Sequence, residues 1–251
     1  MRKLLDKLKK LKYRNDTIPL EKTPFYQTWE YRGNQNLKSA DSRGVVSNRY
    51  KFFYNRIPKV ANSTITSTLG GIETGQSLTS PETKKYFSTP SQMTLNQIKQ
   101  FDKYYKFTFV RNPYTRTLSA YLDKVIRKRY LSKEGNVKNS FFSKREAPPT
   151  FSEFCEYLEA EGLYSNVHWA PQTDLLLLPF EEFDFIGRFE KLTVDLNYII
   201  GKIFNHSQIV EYKHAGPPAT NANHLVEKYY SDKEFDIVYK LYKDDFDLFG
   251  Y

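Results

Sequence analysis

Lys51-Phe52-Phe53-Tyr54-Asn55-Arg56-Ile57-Pro58-Lys59-Val60-Ala61-Asn62-Ser63-Thr64 is the stretch on which the fold turns. Lys51 to Ile57 are rich in aromatic residues and read as a buried strand. Pro58 to Thr64 read as a turn, with a helix starting near Ser63 and Thr66, Leu69 and Ile72 on its inner face. Gly70 and Gly71 are expected to weaken that helix or end it early. A strand followed by a turn and a helix start is where a nucleotide-binding loop sits, because unbonded N–H groups at a helix start hold phosphate. Lys59 adds a mobile point charge, and Ser63 and Thr64 add hydroxyl donors. The loop has no glycine, and its lysine precedes the turn, so it does not match the Walker pattern of kinases and nucleotide triphosphatases. Taken alone, this stretch is equally compatible with an ordinary turn carrying a solvent-facing lysine.

A second stretch repeats the pattern. Tyr105 to Val110 read as a strand, and Pro113 and Thr115 open a helix expected to run to about Tyr130. Leu118, Leu122, Val125 and Ile126 form its apolar stripe, with Lys124, Arg127, Lys128 and Arg129 crowding the other side. Between them lies Arg111-Asn112-Pro113-Tyr114-Thr115-Arg116-Thr117-Leu118-Ser119. Arg111 at the strand end and Ser119 on the helix can reach one anion together. The guanidinium fork suits phosphate because it donates two parallel bonds.

Working outward, Phe151 to Ala160 read as a helix capped near Thr150 or Ser152. Phe183 to Phe189 read as a third strand, Leu192 to Phe204 as a helix, and about Asp232 to Asp245 as the last helix. Residues 131–149 read as a long loop and residues 14–48 as an irregular lead-in, with order beginning at Tyr50. Strands separated by helices imply an α/β fold, a mostly parallel central sheet flanked by helices. Ligands then sit at the carboxyl ends of the strands, where both loops lie. The domain reading is a basic lead-in over residues 1–48 and a single domain over 49–251.

Composition narrows the partners. The formal charge of the 251-residue chain is +9, which favours anionic ligands of any kind. Hydrophobic residues are 39% of the chain, but 20 Tyr and 19 Phe supply enough area for a core. Cys155 is the single cysteine, so no intrachain disulfide and no cysteine-based zinc site is possible. His168, His206, His214 and His224 show no metal-ligand spacing, and no metal is expected. No apolar run is long enough to span a membrane. Leu4, Leu5, Leu8 and Leu11 share one face among lysines, compatible with a solvated helix packed on the domain or with peripheral membrane contact through residues 1–14.

The two loops resemble the 5′-phosphosulfate and 3′-phosphate motifs of the sulfotransferases that use 3′-phosphoadenosine-5′-phosphosulfate (PAPS). They are most similar to the carbohydrate branch with the chondroitin 4-O- and HNK-1 enzymes. IPKVANST resembles the family's P-K-V-A-x-[ST], and FVRNPYTRTLSAYLDK its F-V-R-x-P-x-x-R-x-x-S-A-Y-x-x-K. FSEFCEYL with His168-Trp169-Ala170-Pro171-Gln172 resembles F-x-x-F and H-W-x-P-Q, and Phe185 to Leu192 resembles F-[IV]-G-[KR]-x-E-x-L. The resemblance covers roughly residues 50–251. It implies a P-loop-like nucleotide core and sulfuryl transfer from PAPS to a hydroxyl, most simply of a carbohydrate or an acidic polysaccharide, with no metal and no nucleic acid. Pro58, Lys59, Val60, Ala61, Asn62, Ser63 and Thr64 would surround the 5′-phosphate, and Arg111 and Ser119 would hold the 3′-phosphate. Lys59 would stabilise the leaving oxygen. His168 is the first choice of general base, against a structural role with Trp169; Glu73 is the alternative base. Arg188 and Glu190 are expected to anchor the third strand, Arg116 either touches nucleotide or pairs internally, and His214 with the following G-P-P-A-T-N stretch would form a loop over the nucleotide. Golgi members of the family carry a membrane anchor and paired cysteines that are not seen here. That departure implies a bacterial or viral relative in a reducing, cytoplasmic compartment.

Two rival readings stand beside it. A kinase with an altered phosphate loop would need Mg²⁺ and a carboxylate at an adjacent strand end. A non-catalytic polyanion-binding module would need its basic residues gathered in a stripe, and here they are scattered.

Overall fold

A computed structural model describes residues 18–127, 147–205 and 218–251. Four strands form one sheet in the order β1 (Gly44–Ser47), β2 (Phe52–Asn55), β3 (Tyr105–Val110) and β4 (Phe185–Arg188). β1 pairs antiparallel with β2, whereas β2, β3 and β4 run parallel. The α/β reading with a mostly parallel sheet therefore holds, and the parallel strands need the helical crossovers that the sequence pattern supplies.

Both faces of the sheet are covered, and the strand sequences show why. Phe52 and Tyr54 pack into one apolar cluster with Phe107, Phe109 and Ile65. Phe53, one residue out of phase, packs into another with Phe25, Phe101 and Val46. A strand turns alternate side chains to opposite faces, so a continuous aromatic run serves a strand buried on both sides. Tyr54 and Phe107 face each other across the β2–β3 register, their rings stacked at 4.9 Å.

The lead-in is more ordered than its polar composition implies. Gly44–Ser47 is a strand of the sheet, and Phe25 and Ala40 are buried beneath residues of β2. The apolar residues there are few but each lands on the aromatic face of the sheet, a tertiary match that local composition does not carry.

Helix α1 (Asn62–Thr74) follows β2 and runs through both glycines. Gly70 is retained for a packing reason: a Cβ there would lie 2.3 Å from Thr83 Cγ2, in the helix Ser80–Tyr86. Helix α2 (Pro113–Ala120) follows β3 and continues into a π-helical turn over Tyr121–Ile126. Asn112 caps α2 by accepting from the Tyr114 and Thr115 N–H groups, and Pro113 occupies the first turn, where no donor is lost. Leu118, Leu122 and Val125 are buried as expected, but Ile126 is exposed.

Helix α3 (Phe151–Tyr157) carries a capping box between Thr150 and Glu153. Helix α4 (Leu192–Phe204) follows β4. The last helix of the sequence reading is two, α5 (Asp232–Leu241) and α6 (Lys243–Phe249), broken at Tyr242. Gly187 in β4 is likewise needed: its missing Cβ leaves room for the Phe109 ring, which would otherwise stand 2.5 Å away.

Candidate functional site

The loops leaving β2 and β3 meet at the carboxyl end of the sheet and wall a cleft of about 420 Å³. Pro58, Lys59, Ala61, Asn62, Ser63, Arg111, Ser119 and His168 all line it. Val60 is fully buried in the main core, and Thr64 is buried on α1; neither lines the cleft.

The first loop obtains its shape without glycine. Lys59 and Ala61 hold positive φ angles of 72° and 58°. Non-glycine residues rarely accept that conformation, and here the surrounding structure fixes it. Ala61 is the N-cap of α1 and offers no side-chain cap, so the first turn of α1 keeps N–H groups available at the cleft. Asn62 steadies the turn by donating its side-chain N–H to the Ile57 carbonyl at 3.2 Å. Arg116 settles its own role here. It is buried, donates Nε to the Pro58 carbonyl at 3.1 Å and Nη1 to the Ala170 carbonyl at 2.8 Å. It is a brace behind the loop and does not line the cleft.

Lys59 points its ammonium at Asp123 Oδ2, 3.0 Å away, and Lys124 reaches the same oxygen at 3.3 Å. Burial lowers the Lys59 pKa to about 8; Asp123 opposes the shift, while Lys124 and Arg111 add to it. Asp123 and Lys124 both line the cleft. Sequence reasoning missed Asp123, although a signal existed: it follows Ser119 by one helical turn and so falls on the same face. The π-helical turn carries Asp123 and Lys124, a local geometry that recurs at functional sites.

Arg111 is held from every side. Its Nε donates to Thr115 Oγ1 at 3.0 Å, one terminal nitrogen donates to the Lys59 carbonyl at 3.2 Å, and the other to Asn223 Oδ1. Its guanidinium lies 4.1 Å from the centroid of the Phe189 ring. Burial lowers its pKa to about 10, with Glu190 opposing, so it stays cationic at neutral pH. Gln172 pins its backbone: Oε1 accepts from the Arg111 N–H at 2.9 Å and Nε2 donates to the Arg111 carbonyl at 2.9 Å. Buried Asp245 in turn accepts from the Gln172 N–H at 2.8 Å. Ser119 shares a hydrogen bond of 3.0 Å with Thr220.

Thr220 belongs to the segment 218–224, which closes one side of the cleft. Arg127 fastens it by donating to the Pro218 and Ala219 carbonyls at 2.6 and 3.0 Å. The end of the anticipated loop over the nucleotide is thus at the cleft, while His214 lies outside the described residues, as do residues 1–14 and most of the loop 131–149.

His168 comes to the cleft on the segment after α3, while its neighbour Trp169 is fully buried and donates Nε1–H to the Gly162 carbonyl at 2.8 Å. The tautomer follows from one oxygen. Asn166 Oδ1 accepts the His168 backbone N–H at 3.0 Å and lies 2.7 Å from His168 Nδ1. An amide oxygen only accepts, so Nδ1 carries the proton and Nε2 keeps its lone pair. Burial, then the charges of Lys124, Arg43 and Lys59, push the imidazole pKa well below its usual 6.5. His168 is therefore neutral at physiological pH.

Glu73 is elsewhere, buried at the far end of α1 and accepting from Tyr86 Oη at 3.3 Å. Arg188 and Glu190 anchor structure: the Arg188 N–H donates to Asp195 at 2.7 Å, and Glu190 accepts from the Asn112 N–H at 2.9 Å and Tyr251 Oη at 3.0 Å. Among the described residues no cluster of His, Cys, Asp and Glu could hold a metal ion, and no helix is long and apolar enough to cross a membrane.

Residues 42–251 match the model of the sulfotransferase family, so the match takes in both loops and the whole sheet. Carbohydrate sulfotransferase 14 of Danio rerio is 28% identical over 232 residues, covering 82% of this chain and 61% of that protein. Carbohydrate sulfotransferase 14 of Homo sapiens is 29% identical over 174 residues, covering 62% of this chain and 45% of the relative. Carbohydrate sulfotransferase 9 of Homo sapiens is 25% identical over 243 residues, covering 84% of this chain and 53% of the relative. The chain spans 61% or less of the length of these three relatives. No solved structure gives a significant match. With its two anion-directed loops in the order and the places that the family model covers, this chain belongs to the sulfotransferase family.

Proposed function

We propose that this chain transfers a sulfuryl group from PAPS to a hydroxyl of a carbohydrate. One observation carries the reading: Lys59, Arg111, Ser119 and His168 converge on one cleft from three separate segments. The donor set fits an elongated, multiply anionic nucleotide. Lys59, Asn62 and Ser63 stand at the start of α1, and Arg111, which donates to the Lys59 carbonyl at 3.2 Å, and Ser119 stand beside the segment 218–224. PAPS, when bound, supplies an activated sulfuryl group.

The residues divide the remaining work. Lys59 holds a positive charge beside the first turn of α1, where negative charge on a departing phosphate oxygen is stabilised. Arg111 and Ser119 distinguish a nucleotide bearing a 3′-phosphate from ATP by offering a second anion site. His168 Nε2 accepts the proton of the attacking hydroxyl, because its neutral form is the resting form in this cationic pocket. A carbohydrate acceptor is supported by the names of the relatives, which are carbohydrate sulfotransferases.

The test is release of 3′-phosphoadenosine-5′-phosphate (PAP) from PAPS by the purified chain, with a panel of desulfated oligosaccharides. Acceptor-dependent release that Lys59→Ala removes supports the reading. Turnover of ATP with Mg²⁺ and none of PAPS would replace it with the kinase alternative.

A further inference from the structure

Arg111 is a buried cation whose hydrogen-bond partners are all neutral. Three of its N–H groups go to Thr115 Oγ1, the Lys59 carbonyl and Asn223 Oδ1. A guanidinium has five such donors, so more than one is left over. Among the described residues no carboxylate stands within ion-pair distance of it. A buried charge without a contacting counter-charge is costly to keep unless an anion arrives to meet it.

Asn223 is the partner whose side chain lines the cleft. Its amide can meet Arg111 only through oxygen, because a guanidinium accepts nothing. Nδ2 is therefore the free end of the amide, and no acceptor among the described residues takes its hydrogens. Accepting a charge-assisted bond at Oδ1 polarises the amide and makes Nδ2 a stronger donor. Aspartate in this place would hold Arg111 equally well but neutralise it. Asparagine holds the guanidinium and leaves its charge to a ligand.

The backbone fixes Asn223 in advance. Asn221 takes a left-handed φ of 53°, which asparagine tolerates better than most residues. Ala222 is buried in the apolar cluster with Leu118 and Tyr121. The 3₁₀ turn Ala222–His224 is closed by the His224 N–H donating to the Asn221 carbonyl at 3.0 Å. Upstream, Arg127 grips the Pro218 and Ala219 carbonyls. Between these two anchors Thr220 shares its bond with Ser119. One hydroxyl proton of that pair bridges the two oxygens, and the other is free to donate.

We propose that Asn223 is a specificity-determining residue for the nucleotide: Nδ2 donates to the 3′-phosphate beside Arg111 and the Ser119–Thr220 pair. Arg127 is a positioning residue that holds the segment carrying Asn223 and Thr220. The proposal rests on the PAPS reading and deepens it by naming what selects a phosphate monoester at the second anion site.

Calorimetry with PAP and with AMP, which lacks only the 3′-phosphate, tests it on the whole chain. Wild type should bind PAP about 10-fold or more tightly than AMP. Asn223→Ala should lower PAP affinity about fivefold or more and leave AMP affinity within about twofold. In the Arg111→Ala background the same change should still weaken PAP about threefold or more, the mark of a direct bond. Asn223→Asp keeps the contact with Arg111 and keeps the test open if the alanine variant misfolds; it should cost more PAP affinity than Asn223→Ala does. Arg127→Gln, at an exposed position, should lower PAP affinity and spare AMP, with Arg127→Lys recovering part of the loss. An Asn223→Asp variant that binds PAP like wild type overturns the proposal. So does equal loss of PAP and AMP, or no effect of Asn223→Ala once Arg111 is gone, which would leave Asn223 acting only through Arg111. Failure of wild type to prefer PAP over AMP sinks the PAPS reading itself, and the proposal with it.

Discussion

Lys59 Nζ lies 3.0 Å from Asp123 Oδ2, an ion pair that joins the loop after β2 to the π-helical turn after α2. The pair favours the charged form of a lysine whose pKa burial lowers. Asp123 thereby sets the pH range over which the cation is available, and the first prediction concerns that range.

Burial brings Lys59 to about 8, below the ordinary lysine value of 10.5. kcat/KM for PAPS, which reports the free enzyme, should fall as pH rises through about 8. Asp123→Asn removes the main influence that raises this pKa, so the fall should move to lower pH. Lys59→Arg should abolish it, because guanidinium does not titrate in this range. Lys59→Ala should cost about 10²- to 10³-fold in kcat, the scale of losing one charge-stabilising donor. pH–rate profiles of the four proteins check all of this.

His168 gives a prediction on stability as well as rate. Its pKa in the folded chain is depressed below 6.5, so below about pH 6.5 the unfolded chain binds more protons and stability falls with pH. His168→Gln should therefore flatten the drop in Tm between pH 7.5 and 5.5. The same variant should lower kcat by about 10²- to 10⁴-fold if Nε2 takes the acceptor proton. Tm and kcat measured on one preparation separate the structural effect from the catalytic one.

Gln172 does not line the cleft, yet two of its side-chain hydrogen bonds hold the Arg111 backbone, while Nε2 also donates to Asp245 Oδ2 at 3.3 Å. Gln172→Met keeps the volume and removes both bonds to the Arg111 backbone together with the one to Asp245. It should cost about 1–3 kcal/mol of stability through the unpaired Arg111 N–H and carbonyl, and should weaken PAP binding more than Ser119→Ala does. Denaturant unfolding and PAP titration of both variants give the comparison.

Gly70→Ala should destabilise by about 1–3 kcal/mol, the scale of core overpacking, since the new methyl meets Thr83 at 2.3 Å. On helix propensity alone the same change would stabilise. The sign of the shift in urea midpoint decides between the two.

How much of this was legible beforehand depends on where each signal lives. β3 and α4 were readable to the residue, because a strand that alternates and then turns continuously apolar and an amphipathic helix are local patterns. Lys59, Arg111, Ser119 and His168 were readable as a set because each sits in a motif that the resemblance covers, and the fold brings the four to one cleft. Strand β1 was not, since Gly-Val-Val-Ser within a polar stretch becomes a strand only by pairing with β2. The full length of α1 is not legible locally, because Gly70 serves a contact with Thr83 of the following helix. Asp123 is not legible as a site residue in the sequence, because its role lies in the two lysines that the fold brings to its carboxylate. Glu73, a plausible base by sequence distance, is removed by the direction in which α1 runs.

Calorimetric titration with PAP, beside ATP, ADP and AMP, for wild type and Arg111→Ala, reads the nucleotide site itself. PAP binding should depend on the 3′-phosphate and weaken in the variant by about 10-fold or more, the scale of a charge-assisted pair. No PAP binding, or a preference for ATP with Mg²⁺ unaffected by Arg111→Ala, would contradict it.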